Sequence, residues 1–600
     1  MSQTHPTSGL LPALIAYYHR LEADQEQSNR VADFGFSEQK IHAQVVLEPD
    51  GSLSAIEDIR ERSERGQPRP RLMVVPDHGG RSGTGLKPYF CWDNTGYVLG
   101  RDTKGSPKRS AAMFAAFRDL HLSFRAELVD DEGYEALCRF LEHWDPANAE
   151  SLPNWDELAG LNVVFKLRAW PGYVHQSAMV RDAWSRRLTA DTGEESGPVA
   201  CSLISGEPEQ LARLHPAIKG VVGANTTGAA LVSFNLDAFE SYGKSQSYNA
   251  PVGIRDAFRY TTALNRLLAD TKRQVRIGDA TVVFWSDQVE GANAEELFHD
   301  IFLENTPAED AATVDRVRGF LNDVRQGRLS DRFEHPDAPF YVLGLSPNAS
   351  RLNVRYWLVG TVRQFAERLA EHVDRLRMIG ERADAPPPII RRLLLETARE
   401  PKDIPPQLAG EVARAVLGGL PYPQLLFNAV LRRIRADSQI NLTRAAILKA
   451  YLINNIKKEV SVALNKDHPD EAYQIGRLFA TLEKTQEDAR QNKLNKTQED
   501  ASQNKLNATI KDRFFASAAA TPANVFPRLL HLHQHHMRNL DYEGQRIDRE
   551  RLMDEIMGRI NHFPRHLPLE RQGLFYIGYY HQRQDFFTKK TVNAKETTNE

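Results

Sequence analysis

A glycine-rich stretch near the start of residues 78–120 carries the residue types that suit an anionic ligand. Glycine lets a ligand approach the backbone closely, and free N–H groups in such loops favour anions. Aromatic residues follow the glycines, and a run of Lys and Arg residues follows the aromatics. Rings stack on nucleobases and cations sit on phosphates, so this order is typical of a nucleic-acid contact. The candidate DNA-binding residues are Arg81, Ser82, Gly83, Gly85, Lys87, Asn94, Lys104, Lys108 and Arg109.

Two enzyme motifs come close to this loop, and both are incomplete. A Walker A loop, G-x-x-x-x-G-K-[ST], has a lysine directly after its second glycine. Gly80 and Gly85 have that spacing, but Leu86 precedes the lysine, and Pro88 replaces the hydroxyl residue that would hold magnesium. A dinucleotide loop needs a third glycine, which the Leu-Lys-Pro after Gly85 does not supply. The alternative to nucleic-acid binding is a surface loop followed by a buried strand at residues 97–99.

Hydrophobic patterns on both sides of this stretch predict a rigid base for it. Strands are expected at residues 41–48, 52–59 and 71–76, and the last of these leads into the glycines. Helices are expected at residues 110–122 and 130–144. The loop therefore lies between a small β-rich base and a basic helix.

The remaining patterns predict an α+β fold, in which a mixed, β-rich N-terminal region is followed by a C-terminal α-helical bundle. The expected domains are residues 1–150, 151–357 and 358–590, with a first helix at residues 9–22. In the second domain, strands are expected at 163–167, 199–204, 229–234 and 281–285, and helices around Gln210 and at 255–268 and 294–303. In the third, helices are expected at 361–378, 389–398, 408–417, 423–434, 442–456 and 471–482 and beyond Phe526.

The composition is that of a globular protein with several cores. The chain has 600 residues, 41% of them hydrophobic and 26% charged, which is ordinary for soluble domains. Its formal net charge of −3 argues against a free-standing, non-specific nucleic-acid binder and fits a subunit that binds through local patches. Three widely spaced cysteines form no disulfide framework, so a cytoplasmic protein is expected. No signal peptide or membrane-spanning run is recognisable.

One run, SGTGLKPYFCWDNTGYVLG at residues 82–100, resembles the large subunit of the type I-C CRISPR surveillance complex, Cascade. The basic helix after it, with Phe117 and His121, fits the same family. Further matches are CSLISGE at 201–207, His215-Pro216, GAALVSFN at 228–235, AFESYG at 238–243, Asn-Ala-Pro at 249–251, TVVFW at 281–285 and LSPNASRLNVRYW at 345–357. The resemblance extends to about residue 580.

The resemblance implies a non-catalytic subunit without a cofactor. Such a subunit recognises the protospacer-adjacent motif in duplex DNA, helps to unwind it, and stabilises the R-loop and the displaced strand. It thereby licenses recruitment of a separate helicase-nuclease. The implied partners are the guide-processing and backbone subunits, a small subunit, the guide RNA and the target DNA. The family's role carries over to residues 82–100. Ring insertion by Tyr89, Phe90 or Trp92 would help to unstack a base step, and the same rings suit the protein core equally well.

Several other features leave alternatives open. Residues 223–251, rich in Gly, Asn, Ser and aromatics, suit either buried turns at a sheet edge, the favoured interpretation, or a second nucleic-acid surface. His531, His533, His535 and His536 suit an amphipathic helix better than a metal site. The twelve residues 484–495 are repeated at 496–507 with one change, and the repeat is expected to project into solvent. The rival functions are a metal-dependent nuclease or hydrolase, for which His299-Asp300 is a weak lead, and a purely structural scaffold.

Overall fold

The computed structural model describes residues 9–24, 31–62, 68–77, 85–102, 106–153, 155–189, 198–286, 292–303, 311–333, 335–381, 388–497 and 509–587. The strands are β1 (Phe36–Ile41), β2 (Ala43–Leu47), β3 (Leu53–Asp58), β4 (Glu61–Arg62), β5 (Pro68–Arg69), β6 (Arg71–Pro76), β7 (Trp92–Asn94), β8 (Asn162–Leu167), β9 (Val199–Cys201), β10 (Pro208–Gln210), β11 (Gln274–Ile277), β12 (Ala280–Ser286), β13 (Pro339–Asn348) and β14 (Arg351–Thr361).

Helices dominate the second half of the chain. They are α1 (Leu10–Ala23), α2 (Thr95–Val98), α3 (Pro107–Phe124), α4 (Glu132–His143), α5 (Trp155–Leu158), α6 (Ala178–Thr189), α7 (Ile254–Ala269), α8 (Ala292–Leu303), α9 (Ala311–Arg325), α10 (Leu329–Arg332), α11 (Val362–Leu376), α12 (Arg391–Leu395), α13 (Pro406–Gly418), α14 (Gln424–Asp437), α15 (Leu442–Ile456), α16 (Glu471–Thr497), α17 (Ile510–Ala520), α18 (Pro522–Arg538), α19 (Glu543–Met557) and α20 (Leu569–Phe587). The predicted α+β class is confirmed. No helix within the described ranges is long and apolar enough to span a membrane.

The N-terminal region is built on two small sheets. One has the strand order β3-β2-β8-β7, with β2 and β8 parallel and the other neighbours antiparallel. The other is an antiparallel ladder of β1 and β6. Helices α3, α4 and α6 contribute the buried apolar side chains Phe114, Phe117, Leu137 and Trp184 to the same core. Residues before and after the glycine-rich stretch both belong to this core. The strand and helix patterns predicted such a base on both sides of the stretch.

The antiparallel sheet of β11, β12, β13 and β14 lies between two further cores. Because side chains alternate across a strand, Val283 and Trp285 enter a core shared with α1 and α7. Val282 and Phe284 enter the core of the C-terminal helices instead. The helical region thus packs directly on this sheet. The division at residues 150 and 357 stays a prediction.

Helices α16 and α20 pack closely against each other in the C-terminal region. A Cβ atom placed on Gly476 would lie 2.0 Å from the Phe575 carbonyl oxygen, and one on Gly578 would lie 2.1 Å from that of Tyr473. Glycine at both positions therefore permits backbone contact between the two helices. Helix α16 extends beyond the predicted residue 482, so the first copy of the repeat is helical, and its Thr485 is buried. Residues 498–507 of the second copy lie outside the described residues.

Three local predictions are wrong. Residues 97–99 are not a strand: α2 begins at Thr95, because the Asn94 side chain accepts a hydrogen bond from the Gly96 N–H and so caps a helical turn. The helix expected around Gln210 is strand β10, which pairs with β9. Residues 229–234 form only the isolated bridges of Ala229 and Ala230 instead of a strand. In each case the pattern was too short to decide between alternatives that depend on a partner.

Candidate nucleic-acid interface

The residue that precedes the glycine-rich stretch, Asp77, is held at a fixed point at the end of β6. The Asp77 N–H donates to the Gly35 carbonyl oxygen at 2.7 Å, and the Ser37 hydroxyl donates to the Asp77 carboxylate at 2.6 Å. Gly35 and Ser37 lie immediately before and within β1. The entry of the loop is thereby tied to the strand that pairs with β6.

The chain returns from the loop beside the same point. The Trp92 indole N–H donates to the Pro76 carbonyl oxygen at 2.7 Å, which joins the exit of the loop directly to its entry. The Tyr89 ring stacks on Trp92 at a centroid distance of 4.4 Å, and the Tyr89 N–H donates to the Asp93 carboxylate at 2.9 Å. These contacts define the loop clamp: residues 76–77 on one side and 89–93 on the other.

A buried histidine holds the exit from the inside. Cys91 has a left-handed backbone, with φ of 61°, and its N–H donates to His121 Nε2 at 2.8 Å. Because Nε2 accepts, the ring proton is on Nδ1, which donates to the Phe117 carbonyl oxygen at 2.7 Å. Burial lowers the pKa of His121 to about 4. The ring is therefore neutral at pH 7 and serves as a structural acceptor.

Of the three aromatic rings that suited either insertion into DNA or the core, two belong to the core. Phe90 is 0% exposed and Trp92 2% exposed. Phe90 is stacked between His121 and Trp184, at centroid distances of 5.3 and 5.1 Å. Ring insertion by Phe90 or Trp92 is therefore wrong, because neither ring can leave without opening the core. Only Tyr89 is half-exposed.

The predicted DNA-binding residues fall into three groups. Gly85 and Lys87 are exposed beside the loop clamp. Lys108 and Arg109 are exposed in the first turn of α3, whose C-terminal part contacts Cys91 through His121. Twelve helical residues separate Arg109 from His121, so the second group lies about 18 Å along the helix from that contact. Arg81, Ser82, Gly83 and Lys104 lie outside the described residues.

Asn94 has a structural role. It is half-buried, and its side chain accepts the Gly96 N–H at 3.0 Å as the cap of α2. The cap explains why asparagine is present at this position, and no contact with DNA is needed to explain it.

Sequence reasoning missed the residues that hold the clamp from a distance. The Trp184 indole N–H donates to the Gly35 carbonyl oxygen at 2.8 Å, across 149 positions of the chain. The same oxygen accepts the Asp77 N–H, so Gly35 joins α6 to the loop entry. No local pattern could identify this pair.

The candidate metal ligands do not come together as a closed site in the described residues, although the His531 and His535 rings lie next to each other at a centroid distance of 5.4 Å. Within the described ranges, no group of three or more His, Cys, Asp or Glu side chains could hold a metal ion. Asp300 accepts a hydrogen bond from Arg316 at 2.9 Å. His533 is buried in the amphipathic helix α18, as predicted, and burial lowers its pKa to about 4.

The stretch at residues 223–251 has the predicted turns but not the predicted burial. Gly223, Gly228, Tyr242 and Gly243 all have positive φ, as turn residues do. Residues 235–245 are nevertheless exposed. The favoured interpretation of this stretch as buried turns is therefore wrong there.

The comparisons with known proteins agree with the motif resemblance. A family model described as CRISPR-associated protein (Cas_Csd1) matches residues 14–587. A search of curated proteins found no match. The family match covers the loop clamp, the central sheet and the helical region together. The chain belongs to the Csd1 family of CRISPR-associated proteins.

Proposed function

We propose that this protein is the non-catalytic large subunit of an RNA-guided complex and recognises the protospacer-adjacent motif in duplex DNA. It helps to open the duplex, stabilises the R-loop and the displaced strand, and so licenses recruitment of a separate helicase-nuclease. The observation that carries this proposal is the loop clamp. It holds together the residues on both sides of the glycine-rich segment, because the Trp92 indole N–H donates to the Pro76 carbonyl oxygen.

A clamped base suits the task of reading a short duplex signal. In an RNA-guided complex, base pairing reads the target, and the protein reads only the flanking motif. Contacts to base edges require a backbone held in one register, whereas phosphate contacts tolerate more variation. The core around Phe90 and His121 supplies that rigidity without entering the DNA.

Gly85 and Lys87 are suitably placed for the contact. No described atom lies within 4 Å of a Cβ built on Gly85, so packing within the described protein does not require glycine there. A ligand that approaches the backbone closely at this position would require glycine. Lys87 and Arg81 would secure phosphates, while Lys108 and Arg109, about 18 Å away along α3, would contact another part of the nucleic acid.

The remaining partners follow from the family resemblance. The protein would lie near the 5′ end of the guide RNA, in a complex that also contains a small subunit. Its helical region would line the displaced strand and contact the backbone subunits. Membership of a CRISPR-associated family supports assembly with other such proteins. The cytoplasm is the expected location.

The decisive experiment measures binding of the assembled complex, with and without this chain, to duplexes that differ only beside the target. Binding that needs both this chain and one flanking sequence is expected. Equal binding to every flank would contradict motif recognition and leave a scaffold as the better account.

A paired substitution tests the loop itself. Arg81→Ala with Lys87→Ala is expected to weaken DNA capture and to lower the salt slope by about 2, since each phosphate contact contributes about 0.9. Lys219→Ala with Arg414→Ala, at two exposed cations elsewhere, is the control and should leave the slope unchanged. Loss of assembly in the loop variant alone would show a structural role.

The rival function, a metal-dependent nuclease, has a direct test. The purified protein is incubated with DNA and Mg²⁺ or Mn²⁺, and we expect no cleavage above that of a protein-free control. Cleavage that is removed by a chelator would overturn the non-catalytic assignment.

A further inference from the structure

We propose a second DNA contact, the arginine arm, formed by residues 61–62 and 68–71 together with Lys40. The arm binds phosphates of the flanking duplex, on the side of the motif away from the target. This inference rests on the proposed function, because it assumes that the loop holds duplex DNA.

The arm presents cations that have no role in the fold. Strands β4 and β5 pair antiparallel, with Glu61 opposite Arg69 and Arg62 opposite Pro68. Arg62 and Arg69 are exposed. Neither side chain makes a hydrogen bond or ion pair within the described structure. Such side chains are available to a ligand.

Two more cations lie where the arm joins the β1–β6 ladder. Arg71, the first residue of β6, is exposed and lies opposite Ile41. Lys40, also exposed, lies opposite Leu72 in the next pair of the ladder. Neither cation has a side-chain partner in the described part of the chain. The register places Arg62 and Arg69 on opposite faces of the arm, and Arg71 and Lys40 on opposite faces of the ladder. Both faces of this corner therefore carry exposed cations, next to the exposed Glu38 and Glu61.

The neighbouring Arg60 shows the contrast between a structural and an available arginine. Its side chain is 15% exposed, and its guanidinium donates to both oxygens of Asp58, at 2.6 to 3.0 Å. Next to it, the Ile59 N–H donates to the His42 carbonyl oxygen at 3.0 Å. These contacts fix the base of the arm to the end of β1 and leave the outer arginines free.

The two prolines make the backbone of the arm poorly suited to pairing with another strand. Pro68 and Pro70 restrict φ and lack an N–H donor. Proline on an edge strand also blocks further strand addition. The arm therefore offers its side chains to a partner rather than its backbone. Guanidinium groups match phosphate oxygens in charge and geometry.

Strand β6 sets the distance between the arm and the loop. From Arg71 to Asp77 the chain is extended over six steps, which is about 20 Å. The same length of duplex holds about six base pairs, at about 3.4 Å each. A duplex with its motif at the loop can therefore reach the arm about six base pairs along its axis.

The test uses the assembled complex and targets whose flanking duplex is about 4 or about 14 base pairs long, which brackets the distance expected from the rise of DNA. The variant is Arg62→Ala, Arg69→Ala and Arg71→Ala. With the long flank, it should bind less tightly than the natural protein. The salt slope should be lower by about 0.9 to 2.7, because one duplex loses one to three phosphate contacts, depending on which faces of the arm it reaches. With the short flank, the two proteins should bind alike. Discrimination between flanking sequences should be unchanged.

Two controls isolate the charge of the arm. Lys219→Ala, Arg399→Ala and Arg414→Ala remove the same charge from exposed positions elsewhere and should keep the full dependence on flank length. Arg62→Lys, Arg69→Lys and Arg71→Lys keep the charge and should restore most of the salt slope. If the lysine variant behaves like the alanine variant, phosphate attraction is not the cause and the proposal is overturned.

The remaining outcomes separate the arm from the proposed function. An alanine variant that still gains affinity with the longer flank overturns the arm, as does one that is equally weakened on both flanks. If the natural protein does not distinguish flanking sequences, motif recognition fails. The dependence on flank length still decides whether the arm binds duplex DNA.

Discussion

Two aromatic segments of this protein, residues 89–92 and 236–242, differ in their exposure to solvent. Both lie close to glycines. In the first, which suited either ring insertion into DNA or the core, Phe90 and Trp92 are buried. In the second, where burial was expected, Tyr242 is 99% exposed, and Leu236 and Phe239 are exposed with it.

The difference comes from partners that are distant in the sequence. Phe90 is enclosed by rings from α3 and α6. Tyr242 lies instead at the tip of a tight turn closed by the Ser241–Lys244 bridge. The Asn249 side chain stabilises this turn. It accepts a hydrogen bond from the Ser241 N–H at 2.8 Å and donates one to the Lys244 carbonyl oxygen at 2.6 Å. Aromatic residues close to glycines in the sequence therefore do not by themselves indicate burial or contact with a ligand.

The largest expected effect comes from truncating one ring in each segment. Phe90→Ala should lower the free energy of unfolding by about 3–5 kcal/mol, because it leaves a cavity in a closed core. Phe239→Ala, in the exposed segment, should cost less than about 1 kcal/mol. Denaturant unfolding of the isolated protein measures both. Equal losses would break the comparison.

The second effect concerns pH and His121. Its pKa is about 4 in the folded protein and about 6.5 when unfolded. Between these values the unfolded chain binds more protons, so the free energy of unfolding falls as the pH drops from about 6.5 to about 4. The contribution of His121 to this decrease in the free energy of unfolding is about 3 kcal/mol. His121→Gln should flatten this dependence relative to the natural protein.

A smaller effect tests whether Asn94 serves the fold or the DNA. Asn94→Ala should cost about 1 kcal/mol, because the cap of α2 is lost, whereas Asn94→Ser should retain most of the stability. Thermal unfolding measures both variants. If Asn94→Ser preserves stability but abolishes discrimination between flanking sequences, Asn94 contacts DNA as well as capping the helix.

The smallest effect is expected at the exposed turn. Tyr242 has φ of 54°, which asparagine tolerates better than most residues. Tyr242→Asn should therefore remove the ring and change the free energy of unfolding by no more than about 0.5 kcal/mol. Thermal unfolding of the isolated protein is the measurement. A loss of 2 kcal/mol or more, by the same scale, would show that the ring packs on the protein.

Long periodic segments were predictable, and short ones were not. The helices expected at residues 255–268 and 442–456 agree with α7 and α15 to within a residue or so. Each repeats its apolar face several times, so one misleading residue does not change the period. Residues 97–99 and 229–234 are too short for a period, and their structure depends on a cap or on an available partner strand.

The sequence by itself determined the α+β class, the longer helices, the strand that enters the glycine-rich loop and the family. These rest on periodicity, turn residues and contiguous motifs, all of which are local. Only the tertiary structure decided that Phe90 and Trp92 are core, that Asn94 is a cap, and that Pro76 and Trp92 close the loop at its base. The physical reason is that burial and hydrogen bonding are properties of pairs. The partners here, such as Gly35 and Trp184, lie up to 149 positions apart.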